Sequence, residues 1–181
     1  MRLHNLLKKE GIEPDLVSLD QCFMKNPEII RLIIKTADLK KSDVVCEIGA
    51  GTGILTIKMS RLCRKIFAVE KDARLYNLLS SLLGKKENVE IIIGDAKKCG
   101  FFNANKIVSN LPYGILDWFF EELDNYDFDL AVVTIPLKFY EKQLSKYNTL
   151  VPEIIKMVEP CDFYPQPGVR SVVIKVKKKK N

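Results

Sequence analysis

From Val44 to Ile135, short apolar runs alternate with longer stretches whose apolar positions recur every three or four residues. The runs Val44–Ile48, Ile66–Glu70, Val89–Ile93, Lys106–Asn110 and Leu130–Ile135 are too short for helices and read as buried strands. Between them lie helical periods. Leu55, Met59 and Leu62 face inward on a helix over Ile54–Cys63, and Leu75, Leu78, Leu79, Leu82 and Leu83 follow a cap at Asp72. Leu116, Phe119, Phe120 and Leu123 mark the next helix, and another lies near Lys138–Lys146. Upstream, Asn26 caps a helix that starts at Pro27 and turns Ile29, Ile30, Ile33, Ile34 and Ala37 inward. Strands alternating with helices predict a mostly parallel sheet with helices on both faces. After residue 150 the rhythm changes, and Glu153–Val158 and Ser171–Lys177 read as two strands with no helix between them. The expectation is an α/β, Rossmann-like fold in which a parallel sheet, seven strands in all, is closed by a C-terminal antiparallel hairpin.

The length of 181 residues predicts one domain spanning 1–181, with a loop-like entrance segment at 1–26 and a basic tail at 177–181. A chain of this size buries roughly 70% of its unfolded surface and needs no disulfide or metal staple. Cys22, Cys46, Cys63, Cys99 and Cys161 show no metal-like spacing and suit small hydrophobes in a reducing cytoplasm. The sole histidine, His4, lies at a chain end, which argues against histidine-based acid–base or metal chemistry. No apolar run approaches the ~18 residues of a membrane span, and the N-terminus lacks a secretory pattern. The net charge of +6 is concentrated at the C-terminus, because Arg170–Asn181 holds six basic residues and no acidic one. That end reads either as a solvated terminus or as a phosphate-contacting arm.

Two stretches carry chemistry. Asn110-Leu111-Pro112-Tyr113 follows a buried strand, where an amide, a proline and an aromatic suit a pocket for a flat ring bearing an amine. Glu47-Ile48-Gly49-Ala50-Gly51-Thr52-Gly53 departs from a dinucleotide fingerprint, since the third glycine comes one residue early and Ile54 takes the small-residue position. Acidic Glu47 beside glycines that admit close backbone approach suits S-adenosylmethionine, whose sulfonium and ammonium are positive. Glu70 and Asp95 end the next two strands, where carboxylates can accept from ribose hydroxyls and from an adenine amine. A turn, a helix cap and a turn residue are the plain alternatives for the loop, Glu70 and Asp95. Their shared place beyond three consecutive strand ends favours a ligand site.

These residues, with two further segments, resemble the KsgA/dimethyladenosine transferase family of RNA adenine methyltransferases. Gln21-Cys22-Phe23-Met24 is similar to its G-Q-x-F-L motif, Val45–Thr56 to its cofactor loop, Asn110–Tyr113 to its catalytic tetrapeptide, and Phe163–Ser171 to its F-x-P-x-P-x-V-x-S segment. The resemblance covers residues 19–177 and implies a class I methyltransferase that uses S-adenosylmethionine. It places Gln21, Cys22 and Met24 at the cofactor entrance, with Gly49, Gly51, Glu70, Asp95 and Asn110 on the cofactor or its loop. Asn110, the Leu111 carbonyl and Tyr113 would grip a target adenine, Pro112 would stiffen the turn, and Phe163 would stack on the base. The implied substrate is RNA, ribosomal RNA or a ribosomal subunit, acted on by a monomer with no membrane association.

The chain departs from the family pattern at Asp20, where glycine is usual, and after Ile135, where a glutamine and arginine pattern is missing. It also stops where the family continues into a small helical domain that helps bind RNA. Other readings of the same residues are a non-catalytic RNA-binding or assembly factor, and a methyltransferase acting on tRNA or on adenine or cytosine amines of DNA.

Overall fold

The computed structural model describes residues 3–179. The chain opens with α1 (Leu3–Lys9), β1 (Phe23–Met24) and α2 (Pro27–Ala37). Three strand–helix units follow: β2 (Val44–Ile48) and α3 (Ile54–Met59), β3 (Lys65–Glu70) and α4 (Tyr76–Leu83), β4 (Val89–Ile93) and α5 (Ala96–Cys99). Then come β5 (Lys106–Asn110) and α6 (Leu116–Asn125), and β6 (Leu130–Pro136) and α7 (Leu137–Gln143). The long strands β7 (Leu150–Val158) and β9 (Ser171–Lys178) flank the short β8 (Phe163–Tyr164).

Seven strands form one sheet in the order β4-β3-β2-β5-β6-β9-β7. The first five run parallel, and β9 is antiparallel to both β6 and β7. One face carries Val45, Ile66, Ala68, Val108, Val132 and Val173 against α2, α3 and α4. The other packs Cys46, Ile107, Val133 and Ile174 against α6, whose Phe119 and Phe120 are fully buried. Each such side chain contributes about 1.5–3 kcal/mol by leaving water. Helix α2 begins as its sequence predicts, with Asn26 Oδ1 accepting from the Glu28 amide at 2.8 Å and proline in the first turn.

Strand order reverses between β2 and β5, because the chain winds outward through β3 and β4 before returning. Ligands of such sheets bind beyond the carboxyl ends at this switch point. Gly49 leaves β2 there, and Leu111 leaves β5 beside it.

Several expectations need correction. Residues 1–26 are not loop throughout. Leu3, Leu6 and Leu7 have helical spacing in α1 and pack on the core, and β1 pairs antiparallel with β8. Helix α3 ends at Met59, which leaves Leu62 39% exposed instead of inward. The stretch expected as one helix over Lys138–Lys146 is α7 followed by a 3-10 turn over Leu144–Lys146. Strand β7 starts at Leu150, three residues before the expected Glu153. Of the basic tail, Lys177 and Lys178 belong to β9, while Lys180 and Asn181 lie outside the described residues. Lys175 pairs with Glu153 and Lys178 donates to the Asp124 carbonyl, so these two are tied into the fold.

Candidate active site

A pocket opens beyond the ends of β2, β3, β4 and β5. It brings together Gln21, Cys22, Gly49, Gly51, Glu70, Asp95, Asn110, Leu111, Pro112, Tyr113 and Phe163, and leaves Met24 and Glu47 out of its lining. The floor is the loop after β2. The amides of Gly49 and Ala50 both donate to the Val69 carbonyl, at 2.8 and 3.0 Å, which folds the loop over the end of β3. Gly49 and Gly51 have φ of +73° and +56°. A Cβ on Gly49 would meet Pro112 Cδ at 3.3 Å, and one on Gly51 would meet the Phe23 ring at 3.1 Å. Glycine is therefore needed for both backbone angle and space.

Glu70 organises this loop from below. Its Oε2 accepts from the Gly51 amide at 2.7 Å and its Oε1 from the Asp72 amide at 2.9 Å. Burial pushes its carboxyl above the usual range, against the lowering effect of these bonds. Each oxygen keeps a lone pair for a further donor. Asp95 caps α5 by accepting from the Lys97 amide, a bond that holds its carboxyl low, and its other oxygen lies 3.2 Å from Lys71 Nζ.

Residues 15–24 form a strap across the pocket. Gln21 spans it by accepting from the Asp15 amide and donating to Asp72 Oδ2 at 2.7 Å. Burial raises the Asp72 carboxyl, but bonds from Arg74 and Gln21 outweigh it and hold the group low. Asp20 sits at φ +50° and accepts from the Gly114 amide at 2.8 Å, which ties the strap to the tetrapeptide turn. Cys22 takes part through its backbone carbonyl, which accepts from Asn110 Nδ2 at 2.9 Å. Burial, then the charge of Asp20, raises the Cys22 thiol.

The tetrapeptide is held from several sides. Ser109 Oγ accepts from the Ile48 amide, which locks the ends of β2 and β5 together. The Leu111 amide donates to the Thr134 carbonyl at 3.3 Å, and the Tyr113 hydroxyl lies 3.0 Å from Ser171 Oγ. Desolvation raises the Tyr113 phenol above its ordinary value. Phe163 lines the pocket but is only 2% exposed, since β8 is clamped by β1. Its ring is therefore packed into the core at the pocket wall, with almost no free face.

Two residues expected at the cofactor sit elsewhere. Met24 is 3% exposed and turned into the core, and Phe23 lines the pocket in its place. Strand alternation between these neighbours explains the exchange. Glu47 is fully buried under the loop, where its Oε2 accepts from Thr56 Oγ1 at 2.5 Å. Burial pushes its carboxyl up to about 8, so at neutral pH it holds its proton and offers no charge to a cation.

Ser171, Asp72 and Asp20 also shape the site, although the sequence marks Asp72 only as a cap and Asp20 only as a departure from the family pattern. Ser171 closes the Phe163–Ser171 segment and was visible there, but its bond to Tyr113 depends on the hairpin. His4, in α1, bonds the Tyr164 hydroxyl through Nδ1 at 2.7 Å. Among the described residues, no three His, Cys, Asp or Glu side chains converge as metal ligands would, and no helix is long and apolar enough to cross a membrane.

The sheet order, the glycine loop and the switch-point pocket define a class I methyltransferase fold. Within that class the chain belongs to the ribosomal RNA adenine dimethylase family, whose sequence pattern matches residues 17–181. It is 35% identical over 181 residues to a probable ribosomal RNA small subunit methyltransferase A of Methanococcus vannielii, covering 89% of this chain and 66% of that one. A protein of the same description from Pyrococcus abyssi is 36% identical over 193 residues, covering 99% and 71%. A crystal structure of a dimethyladenosine transferase from Plasmodium falciparum superposes with a TM-score of 0.81 at 30% identity, covering 87% of this chain and 63% of that one. The chain thus spans about two thirds of the length of the relatives it matches.

Proposed function

We propose that this chain transfers a methyl group from S-adenosylmethionine to the exocyclic N6 amine of an adenine in RNA, with ribosomal RNA as the substrate class. The pocket residues fit that donor. Glu70 and Asp95 are acceptors with lone pairs to spare, suited to ribose hydroxyls and to an amine. Of the two lining cations, Lys71 and Lys97, the first is paired with Asp95. S-adenosylmethionine, when bound, supplies an electrophilic methyl on a sulfonium.

The observation that carries the proposal is the bond between Asn110 Nδ2 and the Cys22 carbonyl. It commits the amide nitrogen to the strap and leaves Oδ1, which has no bonding partner among the described residues, as the acceptor on the pocket side. The adenine amine is a poor nucleophile because its lone pair is delocalised into the ring. Asn110 Oδ1 and the Leu111 carbonyl accept hydrogen bonds from the two amine N–H groups and draw the nitrogen toward tetrahedral geometry. Pro112 and the Leu111–Thr134 bond fix these acceptors before the base arrives, a positioning contribution. No strong base is required, because the methylated amine is acidic and loses its proton to water. Extruding the base costs a few kcal/mol. Stacking on Tyr113 offsets this at about 1–3 kcal/mol, and the Phe163 ring, 2% exposed, would add to it only once uncovered.

The test incubates the protein and labelled donor with ribosomal subunits, tRNA and DNA, then maps the modified base by mass spectrometry. Label on an RNA adenine N6 is expected. Donor binding with no transfer to any substrate would favour a non-catalytic RNA-binding factor instead.

A further inference from the structure

Thr134 holds the one buried side-chain oxygen, among the described residues, with no hydrogen-bond partner. It is 2% exposed on β6, where it pairs in parallel register with Asn110 of β5 and in antiparallel register with Val173 of β9. Side chains in register on adjacent strands point to the same face, and the strands lie about 4.8 Å apart. That face is the one bearing Val108, Val132 and Val173. The orphan hydroxyl is thus the in-register neighbour of the Asn110 side chain. Thr134 does not itself line the pocket, and its carbonyl already receives the Leu111 amide. A buried hydroxyl without a partner is unfavourable, and valine has the same shape without that penalty. Threonine here therefore points to a use for the oxygen.

We propose that Thr134 is a positioning residue for Asn110. A carboxamide nitrogen has two hydrogens. The Cys22 carbonyl takes one, and Thr134 Oγ1 accepts the other when the base is engaged. With both hydrogens held behind the pocket, Oδ1 cannot swing away from the target amine. The role rests on Asn110 being the acceptor for that amine.

The test compares Thr134→Val, Thr134→Ser and Asn110→Ala with the wild-type chain in methyl transfer to RNA, donor affinity, thermal melting and the NMR signals of the Asn110 side-chain amide. Thr134→Val should lose about tenfold in kcat with donor affinity unchanged, and Thr134→Ser should stay within about threefold of wild type. Thr134→Val should melt no lower than wild type, which separates the effect from loss of fold. The Asn110 amide signals should shift in Thr134→Val and hold in Thr134→Ser. Wild-type kcat in Thr134→Val, or Asn110 signals that ignore the substitution, would overturn the role. Wild-type activity that is lost in Asn110→Ala but kept in Thr134→Val removes only the role of Thr134. Activity kept in Asn110→Ala, or absent from the wild type, removes the acceptor reading beneath it.

Discussion

Asn110 Nδ2 donates to the backbone carbonyl of Cys22 at 2.9 Å, joining the end of β5 to a strap from the N-terminal part of the chain. One bond therefore does two things: it closes the strap over the pocket and it sets which atom of the carboxamide faces the substrate. Truncation to Asn110→Ala removes the acceptor and should lower kcat by at least about a hundredfold, the scale seen when a positioned transition-state partner is lost. Asn110→Asp keeps an acceptor but sets a second oxygen against the Cys22 carbonyl. It should release the strap, seen as faster limited proteolysis within residues 15–24 than in Asn110→Ala. Proteolysis of both variants at the wild-type rate would show that the bond does not hold the strap.

Gly51 tests the floor of the pocket. At φ +56° a Cβ costs about 1–2 kcal/mol in backbone strain alone, and it would sit 3.1 Å from the Phe23 ring. Gly11, which follows α1, has a φ of +67° with nothing within 4 Å of its Cβ position, so it serves as the control without a neighbour. Gly51→Ala should lose at least as much stability as Gly11→Ala in urea titrations. Only Gly51→Ala should weaken donor binding, by about tenfold or more, because Phe23 must move within the pocket. Equal donor affinity in the two variants would remove Phe23 and Gly51 from the binding surface.

The parallel strands are legible in the sequence because both of their faces are covered, which makes runs such as Ala131–Val133 apolar throughout. Site residues at strand ends stand out for the opposite reason, as polar groups where core is expected. The entrance segment is harder to read. A helix of seven residues carries little signal, and a two-residue strand exists only through Phe163 and Tyr164, far along the chain. Cys22 contributes a backbone carbonyl, which its residue type does not advertise. Glu47 misleads because an acid beside a glycine loop looks available, whereas strand β2 turns it inward onto Thr56.

Asp20 holds a conformation that favours glycine, with φ +50°, and gains the Gly114 amide bond in return. Asp20→Gly loses the bond but relieves the backbone, while Asp20→Ala loses the bond and keeps the strain. Asp20→Ala should be less stable than Asp20→Gly by about 1 kcal/mol in chemical denaturation. An alanine variant as stable as the glycine variant would show that the strap relaxes freely and that its shape owes nothing to position 20.

Glu47 gives the fold a pH dependence of defined sign. Burial raises its carboxyl from 4.5 to about 8, so the folded chain keeps a proton that the unfolded chain releases. The stability that proton represents is complete below about pH 4.5, declines as pH rises toward 8, and is gone above it, at up to about 1.4 kcal/mol per pH unit. Glu47→Gln keeps an oxygen for Thr56 Oγ1 and removes the titration. Glu70, raised in the same direction, titrates in both proteins and largely cancels in the comparison. Denaturation at pH 4, 6, 8 and 9 should find the two proteins similar at pH 4 and the glutamine variant ahead by a few kcal/mol at pH 9. Curves that run parallel across that range would mean that Glu47 is ionised in the fold, and would return it to the set of groups able to attract a positively charged donor.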